Sequence, residues 1–183
     1  MLFRSVRLLG YLERAHMGSL QEALDSPVRP ADIVATRVYR CKYGFGLNVE
    51  QEIIKNVGIF MRLGWNDGRT EGWIFDDVDH AASLGISIKG EAWGRPNDTF
   101  GFAGAINGLP DVHKRFFAAG GTGILAGDGA LNYGLETNVE TYYDAQICNG
   151  VHLAFDYQFI SNPAYNRDRG PVSVFAARMH WEF

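Results

Sequence analysis

The chain has 183 residues, enough for one domain of ordinary size, and its 17 basic and 21 acidic side chains leave a mild net charge of −4. That balance gives no electrostatic footprint for nucleic acid. Aromatic residues at 13% and 22 glycines favour strands and turns over helical bundles. Mean hydropathy is −0.13 and no run approaches the length of a membrane helix. A membrane is not thereby excluded, because a spanning strand needs only about 9–11 residues with every second one apolar.

Period-two alternation recurs from one end of the chain to the other. Residues 2–17 predict a first strand with a weak pattern. The opening residues carry Arg7, Glu13 and Arg14 too early for a secretion signal, so the chain is expected either to be cytosolic or to lack the amino-terminal part of its gene product. Over 38–53, Tyr39, Cys41, Tyr43, Phe45, Leu47 and Val49 share a face opposite Arg40, Lys42, Asn48 and Glu50. Over 57–65, Ile59, Met61, Leu63 and Trp65 alternate with Phe60 and Arg62. Over 82–92, Leu84, Ile86 and Ile88 oppose Ser87, Lys89 and Glu91. The small residues of 100–107 predict a strand whose two faces cannot be separated. Over 138–147 the polar side holds Glu140 and Asp144, over 151–160 it holds Asp156, and over 175–183 it holds Arg178. That makes eight strands.

Counted back from Phe183, the connections run long and short in turn: 161–171, 108–134, 66–80 and 18–35 are long, while 148–150, 94–99 and 54–56 are short. Up-and-down strands then put all the long loops at one end, as in outer-membrane barrels. Residues 109–121 of the longest loop predict a short helix, with Pro110 in its first turn and Gly120 at its carboxyl end.

The polar face is too charged for a packed core, because unpaired buried ions cost several kcal/mol each. It therefore meets water. The other face meets either lipid or a soluble core, with aromatic residues such as Trp65, Tyr157, Phe159 and Trp181 near the strand ends. Arg40, Lys42, Glu50, Arg62, Lys89, Glu91, Glu140, Asp144, Asp156 and Arg178 are the candidate lining of a water-filled channel. Their other reading is a mutually neutralising ladder. A soluble β-barrel binding a small ligand is the alternative for the whole chain.

Cys41 and Cys148 match no metal or redox spacing, and residues 75–79 lack the spacing of a calcium loop. The five histidines are dispersed, with no metalloprotease or nucleophile-elbow motif. Glycine-rich 118–129 follows a loop helix rather than a strand, so it is no phosphate cradle. No metal site and no catalytic residue are expected.

Three stretches, KYGFGLNVEQEI (42–53), RLGWNDGRTE (62–71) and DYQFISNPAYNRDRGPVSVFAARMHWEF (156–183), resemble the carbohydrate-selective porins of Gram-negative outer membranes. The resemblance runs through nearly the whole chain and is densest at its end. It implies an antiparallel up-and-down transmembrane barrel of about sixteen strands, of which 1–183 would be the carboxy-terminal part. It also implies facilitated diffusion of mono- or oligosaccharides, with no enzyme activity and no cofactor. Outer-membrane lipid would surround the barrel. Phe183 and Trp181 would be the terminal aromatic signal read by the barrel assembly machinery. Trp65, Trp73, Arg167 and Arg169 are candidate sugar contacts at the long-loop end. The other reading of Trp65 is an interfacial aromatic, and that of Asn166–Gly170 a solvated turn.

Overall fold

A computed structural model describes residues 4–72, 77–124 and 126–182. Its frame is a single antiparallel sheet in strict chain order. The strands are β1 (Arg4–Met17), β2 (Val38–Ile54), β3 (Val57–Asn66), β4 (His80–Gly90), β5 (Arg95–Gly108), β6 (Glu136–Cys148), β7 (Val151–Ser161) and β8 (Val172–Trp181). The fold is all-β and up-and-down, and among the described residues β1 and β8 are its unpaired edges.

Cross-strand register carries the alternation from strand to strand. Phe45 stands opposite Trp65, Leu47 opposite Leu63, Met61 opposite Leu84, Tyr143 opposite Phe155, and Tyr157 opposite Phe175. The small strand at 100–107 is settled by its neighbours: Ile86 faces Phe102 and Ala82 faces Ile106. Phe100, Phe102 and Ile106 therefore lie on the apolar face, and Gly101, Ala103 and Ala105 on the polar one.

The apolar face is uncovered. Leu8 is 83% exposed, Leu12 74%, Phe155 59%, Phe175 80% and Met179 70%. So wide an apolar band is out of place in water and in place in lipid. Tyr39, Tyr43 and Trp65 rim it at the long-loop end, and Trp93 and Trp181 at the other, giving the two aromatic belts of a membrane barrel.

Connections alternate as expected. Lys55–Asn56 and Asn149–Gly150 are two-residue turns, with φ of 70° at Asn56 and 74° at Gly150. The β4–β5 connection falls at 91–94 instead of 94–99. A 3-10 turn at Glu91–Trp93 closes on Gly94, whose φ of 76° suits glycine. Strand β5 then starts before Pro96, which is tolerated because pairing with β6 begins only at Thr99. Asp98 holds this extension: it accepts from Arg95, from the Tyr143 hydroxyl at 2.6 Å and from the Gln146 N–H at 3.0 Å.

Among the described residues the long loops build an apolar core. Helix α2 (Asp111–Ala118) presents His113, Phe116 and Phe117 at i, i+3, i+4 spacing, and all three are buried. They pack with Leu20 and Ala23 of α1 (Leu20–Asp25) and with Ile33, Leu109 and Tyr165. Burial of each phenylalanine is worth about 1.5–3 kcal/mol. At this end Ala15, Met17, Lys42 and Asn66 on the polar face are buried, while Tyr39 and Trp65 on the apolar face are exposed. The loops thus fold over the polar face and cap it.

Cys41 and Cys148 are free and exposed. They sit on β2 and β6, four strand spacings of about 4.8 Å apart, far beyond the ~7 Å reach of a disulfide. Denatured protein, kept free of reductant, is expected to take up two equivalents of a maleimide. Uptake of fewer would contradict the topology.

Candidate channel face

The sequence-predicted charges divide into two groups. Near the long loops they are tied to the cap. Arg40 donates to Glu22 of α1 at 2.6 Å, and the buried Lys42 lies 3.6 Å from Asp79 and donates to the Thr70 carbonyl at 3.3 Å. His113 Nδ1 of α2 lies 2.6 Å from the other oxygen of the same Asp79. Asp79 thereby joins wall and helix, in a place where Lys42, Asp79 and His113 are 7%, 4% and 2% exposed. Asp77 accepts from the Ala126 N–H at 3.3 Å. The acidic stretch 75–79 is thus a set of anchors at both described aspartates.

Lower on the wall the charges are more open. Arg7 reaches Glu50 at 3.2 Å, Lys89 donates to the Thr99 hydroxyl at 3.0 Å, and His152 Nδ1 lies 2.5 Å from Asp144. Glu140 and Asp156 are diagonal neighbours across β6 and β7, and Arg178 of β8 lies within electrostatic reach of Glu140. The Arg62 guanidinium rests 4.8 Å from the Phe60 ring centroid. Glu91 leaves the strand alternation and sits in the β4–β5 turn, 2.8 Å from Lys55 and bonded to Asn56. Those two partners hold its carboxyl below the usual glutamate range.

The candidate sugar contacts scatter. Trp65 points to the apolar face, stacked on Phe45 at 6.0 Å and on His80 at 6.3 Å. Arg169 folds back onto Asp128 of the β5–β6 loop, and the Arg167 N–H donates to the Asn132 carbonyl at 2.8 Å. Trp73, Phe75 and Phe183 lie outside the described residues. Trp181 stands opposite Val151 on the apolar side. A depression of about 620 Å³, lined by Met61, Leu63, Leu84, Phe102, Ile106 and Val139, also lies on the apolar side, where acyl chains rather than solutes would meet it.

Sequence reasoning missed the anchors. Ser19 caps α1, its hydroxyl accepting from the Glu22 N–H at 3.3 Å, and Ser19-x-x-Glu22 is a helix-start signature that was there to be read. Asp79 and His113 are 34 residues apart, and local spacing carries no sign of their contact.

A second anchor has a pH signature. Arg37 grips Glu71 with two bonds of 2.6 and 2.7 Å, and the Gly18 N–H donates to Glu71 at 2.7 Å. Burial alone would push the Glu71 carboxyl up; the Arg37 bonds and the Gly18 N–H outweigh it and hold it below its ordinary value. A carboxyl lowered by folding adds stability in full above its unfolded pKa, and loses it as pH falls through the folded one. Acid is therefore expected to loosen the tie between the β1–β2 and β3–β4 loops. Limited proteolysis across pH 3–7 should show cleavage there rising below about pH 4.5, and Glu71→Gln should flatten that profile.

One lipid-compatible face, one charged face and a loop cap at one end are the features of part of a β-barrel wall of the membrane type. A sequence profile described as "Carbohydrate-selective porin, OprB family" matches residues 5–183. The chain belongs to that family, which is one of outer-membrane channels and not of enzymes. The fold is similar to that of Pseudomonas putida OprB, solved at high pH, with TM-score 0.79, 19% identity and coverage of 100% of this chain and 45% of that one. The chain thus spans less than half the length of that relative. No curated protein matches it at a significant level.

Proposed function

We propose that the polar face is part of the wall of a water-filled pore through which carbohydrates cross the outer membrane by diffusion. On this reading residues 1–183 are the carboxy-terminal part of one barrel domain. The observation that carries it is the division between faces: exposed Leu8, Leu12, Phe155 and Phe175 on one side, and Arg62, Glu140, Asp156 and Arg178 on the other. Membership of a carbohydrate-selective porin family supports it further. An exposed apolar band argues against the soluble binding module, which would need that band inward.

The partners on this reading are mono- or oligosaccharides in the pore, outer-membrane lipid around it, and the barrel assembly machinery acting on the aromatic end at Trp181 and Phe183. The test is swelling, in isotonic sugar, of proteoliposomes carrying the full-length barrel that contains this chain. Entry of monosaccharides faster than through protein-free vesicles is the expected result. Equal rates, with the protein shown to be folded in the bilayer, would reject it.

A further inference from the structure

We propose that the apolar side of the sheet carries, at its long-loop end, a binding site for a membrane lipid with an anionic phosphate headgroup. Arg14, His16 and Tyr39 take the phosphate, and a groove beside Gly10 takes an acyl chain; the assignment rests on the membrane placement of the apolar face. Cross-strand register fixes which ionisable groups share that face. Arg14 stands opposite Cys41 and His16 opposite Tyr39, in line with Leu8 and Leu12. His80 of β4 joins the same rim, opposite Trp65. Among the described strand residues, the one carboxylate that alternation puts on this side is Asp98, which lies at the short-turn end and is bonded to Arg95. The long-loop rim is therefore basic.

The basic groups there keep their charge to spare. Among the described residues the Arg14 guanidinium makes no ion pair; it lies 5.9 Å from the centroid of the Tyr39 ring. The His16 ring meets the same tyrosine edge-on, with 5.6 Å between centroids. Glu71 is within electrostatic reach of His16, but Arg37 already grips it through two bonds. Arg14, His16 and Tyr39 are all exposed. A cation facing hydrocarbon is unfavourable, whereas at the level of an aromatic belt it meets lipid headgroups. Phosphate suits the cluster: a guanidinium offers two parallel N–H donors, and the imidazole and the phenol one each.

The wall beneath the cluster is grooved. Gly10 follows on the same side of β1, four residues or about 13 Å from Arg14. A Cβ there would meet only the edge of the Phe45 ring, at 3.9 Å. The missing side chain opens a depression of about 480 Å³, lined by Leu8, Phe45, Leu47, Leu63 and Trp65. An acyl chain descending from a headgroup at Arg14 runs into it. Charge at the rim with hydrocarbon seating below fits a lipid better than a free phosphate ion.

Trp65 makes the site readable by fluorescence. The full-length barrel that contains this chain, with Trp65 kept as its sole tryptophan, is placed in dioleoylphosphatidylcholine vesicles. Phosphatidic acid or phosphatidylcholine, each dibrominated at mid-chain, is then added as the quencher. The two share their chains and differ in headgroup charge. Phosphatidic acid is expected to be preferred about fivefold, the effect of one basic residue on an anionic lipid. Arg14→Gln should abolish the preference. Arg4→Gln, the same charge loss at the other end of β1, should leave it, and inorganic phosphate in excess should not remove it. Gly10→Leu should lower quenching by both lipids. Heat-modifiable electrophoretic mobility certifies folding; if Arg14→Gln does not fold, His16→Gln combined with Tyr39→Phe takes its place and should lower the preference. Equal quenching by the two lipids in the wild type, a preference that survives Arg14→Gln, or an equal loss in Arg4→Gln overturns the phosphate site. Loss of the preference to inorganic phosphate would give the site to the free ion, and unchanged quenching in Gly10→Leu would remove the acyl seat. Failure of the membrane placement looks different: neither brominated lipid quenches Trp65.

Discussion

Phe155→Arg in the full-length barrel is expected to cost about 2–4 kcal/mol in a bilayer, the range for a cation on the lipid side near mid-membrane. Phe155 is 59% exposed and lies between Tyr143 and Ala177 on the apolar face. Its neighbour Asp156 lies on the opposite, polar face between Tyr142 and Ala176. Asp156→Asn should leave folding almost unchanged and shift ion preference, since a wet lumen solvates either side chain. The urea midpoint of refolding into vesicles measures the first effect, and reversal potential under a salt gradient the second. A soluble barrel with an apolar interior would also suffer at Phe155, so the mutation needs a companion. Tryptophan placed at 155 should be quenched by a lipid-attached quencher, and tryptophan placed at 156 should not. Equal quenching, or quenching at 156 alone, would reverse the faces.

Asp79→Ala is expected to release the cap. The substitution leaves Lys42 and His113 buried without their shared partner, and an orphaned buried charge costs about 3–5 kcal/mol. The sheet hydrogen bonds are untouched, so the heat-modifiable band shift should persist. What should change is the mouth: faster proteolysis within 109–135, larger conductance and weaker discrimination by solute size. Lys42→Met in the same chain should recover part of the loss, because it removes the stranded charge. A single Asp79→Ala variant with wild-type protease resistance and conductance would show that the cap is held by its apolar core alone.

Most of the wall was legible because a strand exposes its two faces by simple alternation. Tyr143, Phe155 and Tyr157 declare one side, and Glu140, Asp144 and Asp156 the other, from the sequence alone. Alternation fails where both faces are small, and 100–107 needed Ile86 and Thr141 as neighbours before its faces could be told apart. The β4–β5 turn was misplaced because Pro96 and Asp98 read locally as breakers. The contacts that make Asp98 part of a strand come from Tyr143 and Gln146, more than forty residues away. The same limit applies to the site. Arg40 and Lys42 were visible as polar-face charges, but their partners lie elsewhere in the chain, Glu22 in the short helix α1 and Asp79 in the β3–β4 loop, and no strand period reaches them. Nor does any local pattern say that Tyr142 rests on Gly101. Periodicity encodes which way a side chain points; what it meets there is a property of the assembled register.

The two-faced alternation also bears on how such a wall can be delivered. A helix-inserting membrane retains a segment when about 20 consecutive residues are predominantly apolar. Here the apolar residues of a strand mostly alternate with small or polar ones, and mean hydropathy stays at −0.13. Among the described residues no helix is long and apolar enough to cross a membrane. A polypeptide patterned this way can be threaded through an inner membrane without stalling there. Only when strands pair and the side chains sort to opposite faces does a surface fit for lipid come into being. Its destination is withheld from every short window of the chain and declared by the folded sheet.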